Sequence, residues 1–299
     1  MVNTDFIKGI ITPIITPITK DEKLNENALR RQVDFLVSAG INGILAFGSN
    51  SEFYMLDADE TEGILKVIVD QVKGRIPVYM GIGSIRTGRC AALAKMGAAL
   101  GANGISVLQP MFIKPTEDEL YDHFRTIAEA VPHLPVLLYN NPGRTGYAIP
   151  QSLAEKLAHS VPNIKGIKDS SGDLTETMEF IRRNRDVDFR VLAGKDTLVY
   201  SALTAGAAGA VCTTANFVPG LVCSIYQKFI DGDLKGSLEA QYRLNPVRLS
   251  MDKSSFPVAT KDCANLLGLE AGNPFLPNKS SPAAQMENLR ITLENAGLL

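Results

Sequence analysis

The sequence is short of the residues from which metal centres and redox motifs are built. Its four cysteines, Cys90, Cys212, Cys223 and Cys263, are widely spaced and include no Cys-x-x-Cys pair. That spacing argues against a zinc site or a disulfide framework and suits reduced thiols in a cytoplasmic protein. The three histidines, His123, His133 and His159, have neither triad nor metal spacing, and each reads as a surface histidine. Asp and Glu form no ligand cluster, so no metal is expected. Lys and Arg form no block or stripe and the net charge is −2, so nothing recruits nucleic acid or an acidic membrane surface. No apolar run approaches the roughly 18 residues of a spanning helix. Met1 to Lys8 lack the charged-then-apolar layout of a signal peptide, so a cytoplasmic location is expected. Gly81-Ile-Gly-Ser-Ile-Arg-Thr-Gly88 lacks a third glycine at the spacing a nucleotide turn requires, and no cofactor is expected.

What is present is ample material for a core: 299 residues, 45 % hydrophobic and 21 % charged. Strand-like apolar runs at Gly9–Ile15, Gly43–Phe47, Pro77–Gly81, Gly104–Leu108, Val136–Tyr139, Ile164–Lys168, Phe189–Leu192 and Ala210–Thr213 alternate with helix-period stretches. Asn25, Asp57 or Asp59, and Thr116 with Glu119 supply helix-start signals. Ala39-Gly40, Leu100-Gly101 and Ala205-Gly206 supply stops, where a left-handed residue is needed. A first strand followed by Thr12-Pro13-Ile14-Ile15 offers no phosphate turn and disfavours a doubly wound sheet. The alternation predicts an α/β fold, a TIM (β/α)8 barrel with three additional C-terminal helices. Residues 1–230 would form the barrel. Residues 231–299 would form a helical extension docked on it, since no Gly, Ser or Pro linker separates the two.

In such a barrel the chemistry sits just after the strand ends. Lys168 ends the sixth strand on a face predicted to hold Ile164 and Gly166, because alternate strand residues share a face. A lysine desolvated there loses part of its preference for the charged form and can act as an amine nucleophile, although a strand-end lysine more often only snorkels its amine toward water. Tyr139 ends the neighbouring strand, near that amine, although a buried tyrosine more often serves a structural hydrogen bond. The small polar turn Gly48-Ser49-Asn50-Ser51 can hold a carboxylate or be an ordinary βα turn. Arg144 in Pro-Gly-Arg-Thr-Gly can clamp an anion or be a plain loop arginine.

Taken together, Gly48-Ser-Asn-Ser-Glu52, Tyr139-Asn-Asn-Pro-Gly-Arg-Thr-Gly146 and Gly166-Ile-Lys-Asp169 resemble the dihydrodipicolinate synthase and N-acetylneuraminate lyase family of Schiff-base-forming pyruvate aldolases. The resemblance runs along essentially the whole chain. It implies that Lys168 forms an imine with a 2-keto acid, pyruvate, that Tyr139 shuttles protons, and that Ser49 and Asn50 hold the keto acid's carboxylate. It further implies that Gly194 and Val211 line the pocket with backbone groups and that the chain is a homotetramer of paired dimers, with Met111-Phe112 at the closer contact.

Departures narrow the substrate. The family's synthases resemble Gly-Thr-Thr-Gly-Glu in the first motif and carry a second relay tyrosine where this chain has Phe112. Arg144 matches the arginine that binds the aldehyde's carboxylate in the synthases, and Asp196 matches a place where sugar-acid lyases bind hydroxyls. The leading expectation is therefore a lyase that cleaves a 4-hydroxy-2-keto acid, of 4-hydroxy-2-oxoglutarate or 2-keto-3-deoxy sugar acid type, to pyruvate and an aldehyde. Condensation of pyruvate with an aldehyde such as aspartate semialdehyde is the first alternative. A non-catalytic keto-acid sensor, suggested only by Phe112, is the second.

Overall fold

The computed structural model describes residues 2–299. Eight parallel strands close into one barrel in sequence order, with the last pairing back onto the first. They are β1 (Gly9–Pro13), β2 (Gly43–Ala46), β3 (Val78–Ile82), β4 (Gly104–Leu108), β5 (Val136–Asn140), β6 (Ile164–Asp169), β7 (Arg190–Ala193) and β8 (Gly209–Val211). The outer layer holds α1 (Glu26–Ser38), α2 (Ala58–Val72), α3 (Thr87–Ala99), α4 (Glu117–Glu129), the single turn α5 (Pro142–Thr145), α6 (Gln151–Ser160), α7 (Leu174–Arg183), α8 (Val199–Thr204) and α9 (Pro219–Ile230). Three further helices follow: α10 (Leu234–Ser250), α11 (Val258–Leu266) and α12 (Ala283–Asn295). None of these helices is long and apolar enough to cross a membrane.

The start and stop signals act as their chemistry requires. The Asn25 side chain accepts from Ala28 N, while Asp57 with Glu60 and Thr116 with Glu119 close reciprocal capping boxes. Gly40, Gly101 and Gly206 take φ of 82°, 92° and 100°, which a side chain would resist, and so end α1, α3 and α8. The helix α8 is absent from the sequence reading because its 6 residues are too few to show a period.

Ile11, Leu45, Tyr79, Leu137, Leu192 and Val211 fill the barrel interior. The opposite strand faces join the surrounding helices in a larger core that includes Ile44, Ile105, Leu138, Phe124 and Leu153. One expectation needs correction here. Ile164 belongs to that outer core and not to the interior face of Gly166 and Lys168. The register between β5 and β6 slips between Val136 and Leu137, which pair with Ile164 and Gly166, so one extra residue sits in β6. Because side chains alternate at every residue, that irregularity turns Ile164 outward while leaving Gly166 and Lys168 inside.

The C-terminal helices bury Leu244, Val247, Cys263, Leu289 and Leu293 in one cluster with Ile10, Ala210 and Val222 of the barrel. The same packing brings α11 against the loop that follows β2.

Candidate active site

Strands β5 and β6 lie side by side, with Tyr139 opposite Lys168. The Lys168 Nζ stands 3.9 Å from the centroid of the Tyr139 ring. Both side chains are almost wholly enclosed, at 5 % and 6 % exposure. Gly166 makes this approach possible. A Cβ there would lie 2.2 Å from the Arg190 carbonyl oxygen and 2.9 Å from Leu137 Cδ2, so only glycine lets β6 press against its neighbours.

Beyond the strand ends the loops are tied together by buried amides and hydroxyls. Asn140 Nδ2 donates to Asp169 Oδ1 at 2.9 Å, and Thr177 Oγ1 donates to Asp169 Oδ2 at 2.6 Å. Gln109 Nε2 donates to the Tyr147 carbonyl at 2.8 Å. These bonds satisfy polar groups that would otherwise be costly to bury, and they fix the ends of β4, β5 and β6 relative to one another.

The Tyr139 hydroxyl accepts from Asn141 Nδ2 at 2.8 Å and lies 3.4 Å from Ser49 Oγ. Burial alone would push this phenol up. The Lys168 charge beside it, together with the hydrogen bonds from Ser49 and Asn141, outweighs burial and holds the phenol below its ordinary value. A lysine amine thus shares one enclosed space with a phenol of lowered proton affinity, the pairing that imine chemistry with proton relay requires.

Ser49, Asn50 and Ser51 form one buried turn after β2. The Asn50 side chain spans the mouth, donating to Thr213 Oγ1 at 2.9 Å and accepting from Thr260 Oγ1 at 3.0 Å. Both polar ends of that side chain are therefore engaged in bracing the turn. Val211 faces the barrel interior below this turn. Gly194 donates its N–H to the Asp169 carbonyl at 2.7 Å, and a Cβ there would lie 2.0 Å from Ser170 Oγ, so it serves close packing of the β6 and β7 loops.

Two expectations about polar side chains are corrected by the geometry. Asp196 is not free to meet substrate hydroxyls. Its carboxylate accepts from Thr213 N at 3.2 Å, Thr214 N at 2.7 Å and Thr214 Oγ1 at 2.6 Å, which fixes the loop after β8. His123 is no surface histidine. It is buried on α4 with Thr87 Oγ1 2.9 Å from Nδ1 and, among the described residues, no partner for Nε2.

Arg144 rises on α5, its guanidinium carbon 4.4 Å over the Phe256 ring centroid. It borders a cleft of about 300 Å³ that also holds Lys195, Thr213, Arg248, Asp252, Ser254 and Ser255. Arg248 pairs with Asp252 at 2.6 Å. Among the described residues, Asp252 is the only acidic side chain lining this cleft, which leaves its charge balance positive. A separate groove of about 780 Å³, lined by Phe53, Tyr54, Gly83, Arg86 and Met111, contains none of the expected catalytic residues.

Sequence reasoning gave no role to Asn141, Lys195, Thr213, Thr260 or Lys261. Asn141 lay inside a quoted motif but carried no signal of its own. Thr260 and Lys261 are more than 200 positions from the turn they touch, and no local pattern announces such a contact.

The family model described as the dihydrodipicolinate synthetase family matches residues 6–295. A 4-hydroxy-tetrahydrodipicolinate synthase from Methanopyrus kandleri is 36 % identical over 98 % of this chain and 97 % of its own. The crystal structure of dihydrodipicolinate synthase from Thermotoga maritima superposes with a TM-score of 0.94 at 30 % identity, covering 98 % of this chain and 99 % of that one. A prophage protein of the dihydrodipicolinic acid synthase family from E. coli K12, solved in complex with pyruvate, gives a TM-score of 0.94 at 29 % identity with the same coverage. A family match over nearly the whole length, on an eight-stranded barrel with a lysine and a tyrosine at adjoining strand ends, makes this chain a member of the dihydrodipicolinate synthetase family and a lyase-type enzyme.

Proposed function

We propose that the chain joins pyruvate to an aldehyde bearing a carboxylate, through an imine on Lys168. The observation that carries the reading is the enclosed pair of Lys168 Nζ and the Tyr139 ring, 3.9 Å apart at the ends of β6 and β5. The neutral amine attacks the keto carbon of pyruvate, and the carbonyl oxygen leaves as water with protons relayed by Tyr139. The iminium then withdraws electrons from the adjacent methyl carbon, which loses a proton and becomes an enamine nucleophile. That carbon attacks the aldehyde, and the new alkoxide takes a proton from the phenol. Hydrolysis of the imine returns Lys168. The first turn of the β2 loop offers Ser49 and its backbone to the pyruvate carboxylate. The cationic cleft at Arg144 and Lys195 suits a charged far end on the aldehyde.

Condensation, which the sequence analysis ranks below cleavage, is favoured by the relatives named 4-hydroxy-tetrahydrodipicolinate synthase, whose reaction is carried over here as a proposal. Cleavage of a 4-hydroxy-2-keto acid runs the same steps backwards and is the second reading, supported by Ser49-Asn50-Ser51 and Phe112. Turnover of pyruvate with aspartate semialdehyde, set beside cleavage of 4-hydroxy-2-oxoglutarate and 2-keto-3-deoxy sugar acids, decides between them. Condensation should be the faster by kcat/KM; cleavage alone would make the second reading the function.

The same chain would work as a pair or a tetramer. Phe112 is 95 % exposed and held at φ 71°, and Tyr54, Ile85 and Ile113 nearby are also exposed. A bulky residue at positive φ is unfavourable, as is an aromatic ring in water, and a second copy covering this face would relieve the latter. A monomer mass in solution at micromolar concentration would remove this assignment.

A further inference from the structure

We propose that Asn141 is a positioning residue for catalysis, its side-chain amide holding the Tyr139 phenol within the same chain. The inference rests on the proton-transfer role given to Tyr139 above. It begins from a difference between the two ends of the family's relay as this sequence has them. At the fourth loop the side chain is Phe112, almost fully exposed and with no hydroxyl to offer. At the fifth loop, two residues past the tyrosine, an amide reaches back and donates to the phenol oxygen at 2.8 Å, a shorter contact than the 3.4 Å from Ser49.

The backbone around Asn141 leaves the side chain little choice. Its N–H donates to Gln109 Oε1 at 3.2 Å, which ties it to the end of β4. Its carbonyl accepts from Arg144 N at 2.9 Å, Thr145 N at 3.1 Å and Thr145 Oγ1 at 3.0 Å, so it is the residue on which α5 is built. With φ −142° and ψ 71° it stands between strand and turn, and its amide projects back over the strand end to Tyr139. None of these backbone bonds uses the side chain, so the amide can be removed without dismantling the loop.

An amide cannot carry the proton onward, since its N–H is far too weak an acid. It can stabilise the phenolate against the phenol and fix the direction of the hydroxyl, because its N–H points at the oxygen in both protonation states. The groups facing the phenol are Lys168 from β6, the one charged group, Ser49 from the loop after β2, and Asn141 itself. Asn141 and Lys168 thus hold the phenolate from two sides, one by direction and one by charge.

The test uses Asn141→Ala and Asn141→Asp in the full-length enzyme, alone and in a Tyr139→Phe background. Loss of the amide donor should lower kcat about tenfold, the worth of one hydrogen bond to a group that becomes charged, with the KM for pyruvate little changed. The limb of the kcat–pH profile that Tyr139→Phe abolishes should move to higher pH in Asn141→Ala, and further in Asn141→Asp, which adds a negative charge. In the Tyr139→Phe background either substitution should cost nothing more. An equal loss in both backgrounds, or a limb that stays in place, overturns the inference and leaves Asn141 as a loop residue. Borohydride trapping of pyruvate on Asn141→Ala should still mark Lys168. If the unaltered enzyme traps no pyruvate, the imine reading falls first and this inference falls with it.

Discussion

Lys261 of α11 and Glu52 of the loop after β2 form an ion pair at 2.7 Å in which the two side chains are 1 % and 0 % exposed. Among the described residues, Glu52 Oε2 has this ion pair and no hydrogen-bond partner. Geometry elsewhere compensates, since Lys261 Nζ also donates to the Asn273 carbonyl at 2.9 Å, and Glu52 Oε1 accepts from Phe275 N at 3.0 Å. Burial pushes the Lys261 ammonium down, with Glu52 opposing it. Glu52 follows directly on Ser49-Asn50-Ser51 and takes a left-handed φ of 56°, so this pair anchors the candidate carboxylate turn to the C-terminal helices.

Removing one member of that pair should therefore cost more than removing both. Lys261→Met leaves the Glu52 carboxylate buried and uncompensated, and should lower the unfolding free energy by about 3–5 kcal/mol. The double variant Glu52→Gln with Lys261→Met should recover a large part of that loss. Urea unfolding of the three proteins checks it, and additive losses would contradict the pairing.

Arg144 tests the second substrate. It stands over Phe256 at the rim of the cleft with Lys195 and Arg248, a cleft whose lining does not include Lys168. Arg144→Ala should reduce kcat/KM by about 2–4 kcal/mol for an aldehyde carrying a carboxylate and far less for a neutral one, with pyruvate imine formation intact. The structure also gives Arg144 the Phe256 contact, so a uniform loss for every aldehyde would assign it to holding the loop.

His123 sets a stability limit in acid. Burial lowers its pKa from 6.5 to about 4. Between those values the unfolded chain binds a proton that the folded protein does not, so stability falls as pH drops below 6.5 and has lost its full share near 4. The loss is on the order of 3 kcal/mol. In His123→Leu the midpoint of urea unfolding should fall less steeply over the same range. An unchanged slope would show that other groups govern the acid limb.

The strand positions were legible because they rest on local rules: alternation, capping chemistry, and glycine where φ turns positive; Lys168 stood out locally only as a strand-end residue, and its imine role was implied by the family resemblance. Lys168 and Tyr139 could be placed together since each ends a strand and the strands are neighbours in the chain. Ile164 could not be placed correctly, because a register slip depends on how β6 meets β5 and leaves no mark in the composition of β6. Asp196 looked like a binding acid for a similar reason. Its identity is visible in the sequence, whereas the backbone N–H groups of Thr213 and Thr214 that occupy it are brought there only by the closing of the barrel. Lys261 carries no local sign of its pairing with Glu52, which forms only because α11 packs against the loop after β2.

The central claim is that Lys168 carries pyruvate as an imine. Borohydride reduction in the presence of pyruvate, followed by peptide mass mapping, tests it most directly. One three-carbon adduct should appear, on the peptide containing Lys168, and should vanish in Lys168→Ala and in Lys168→Arg, whose guanidinium stays protonated and cannot attack a carbonyl. An adduct on another lysine, or one that persists in Lys168→Ala, would contradict it.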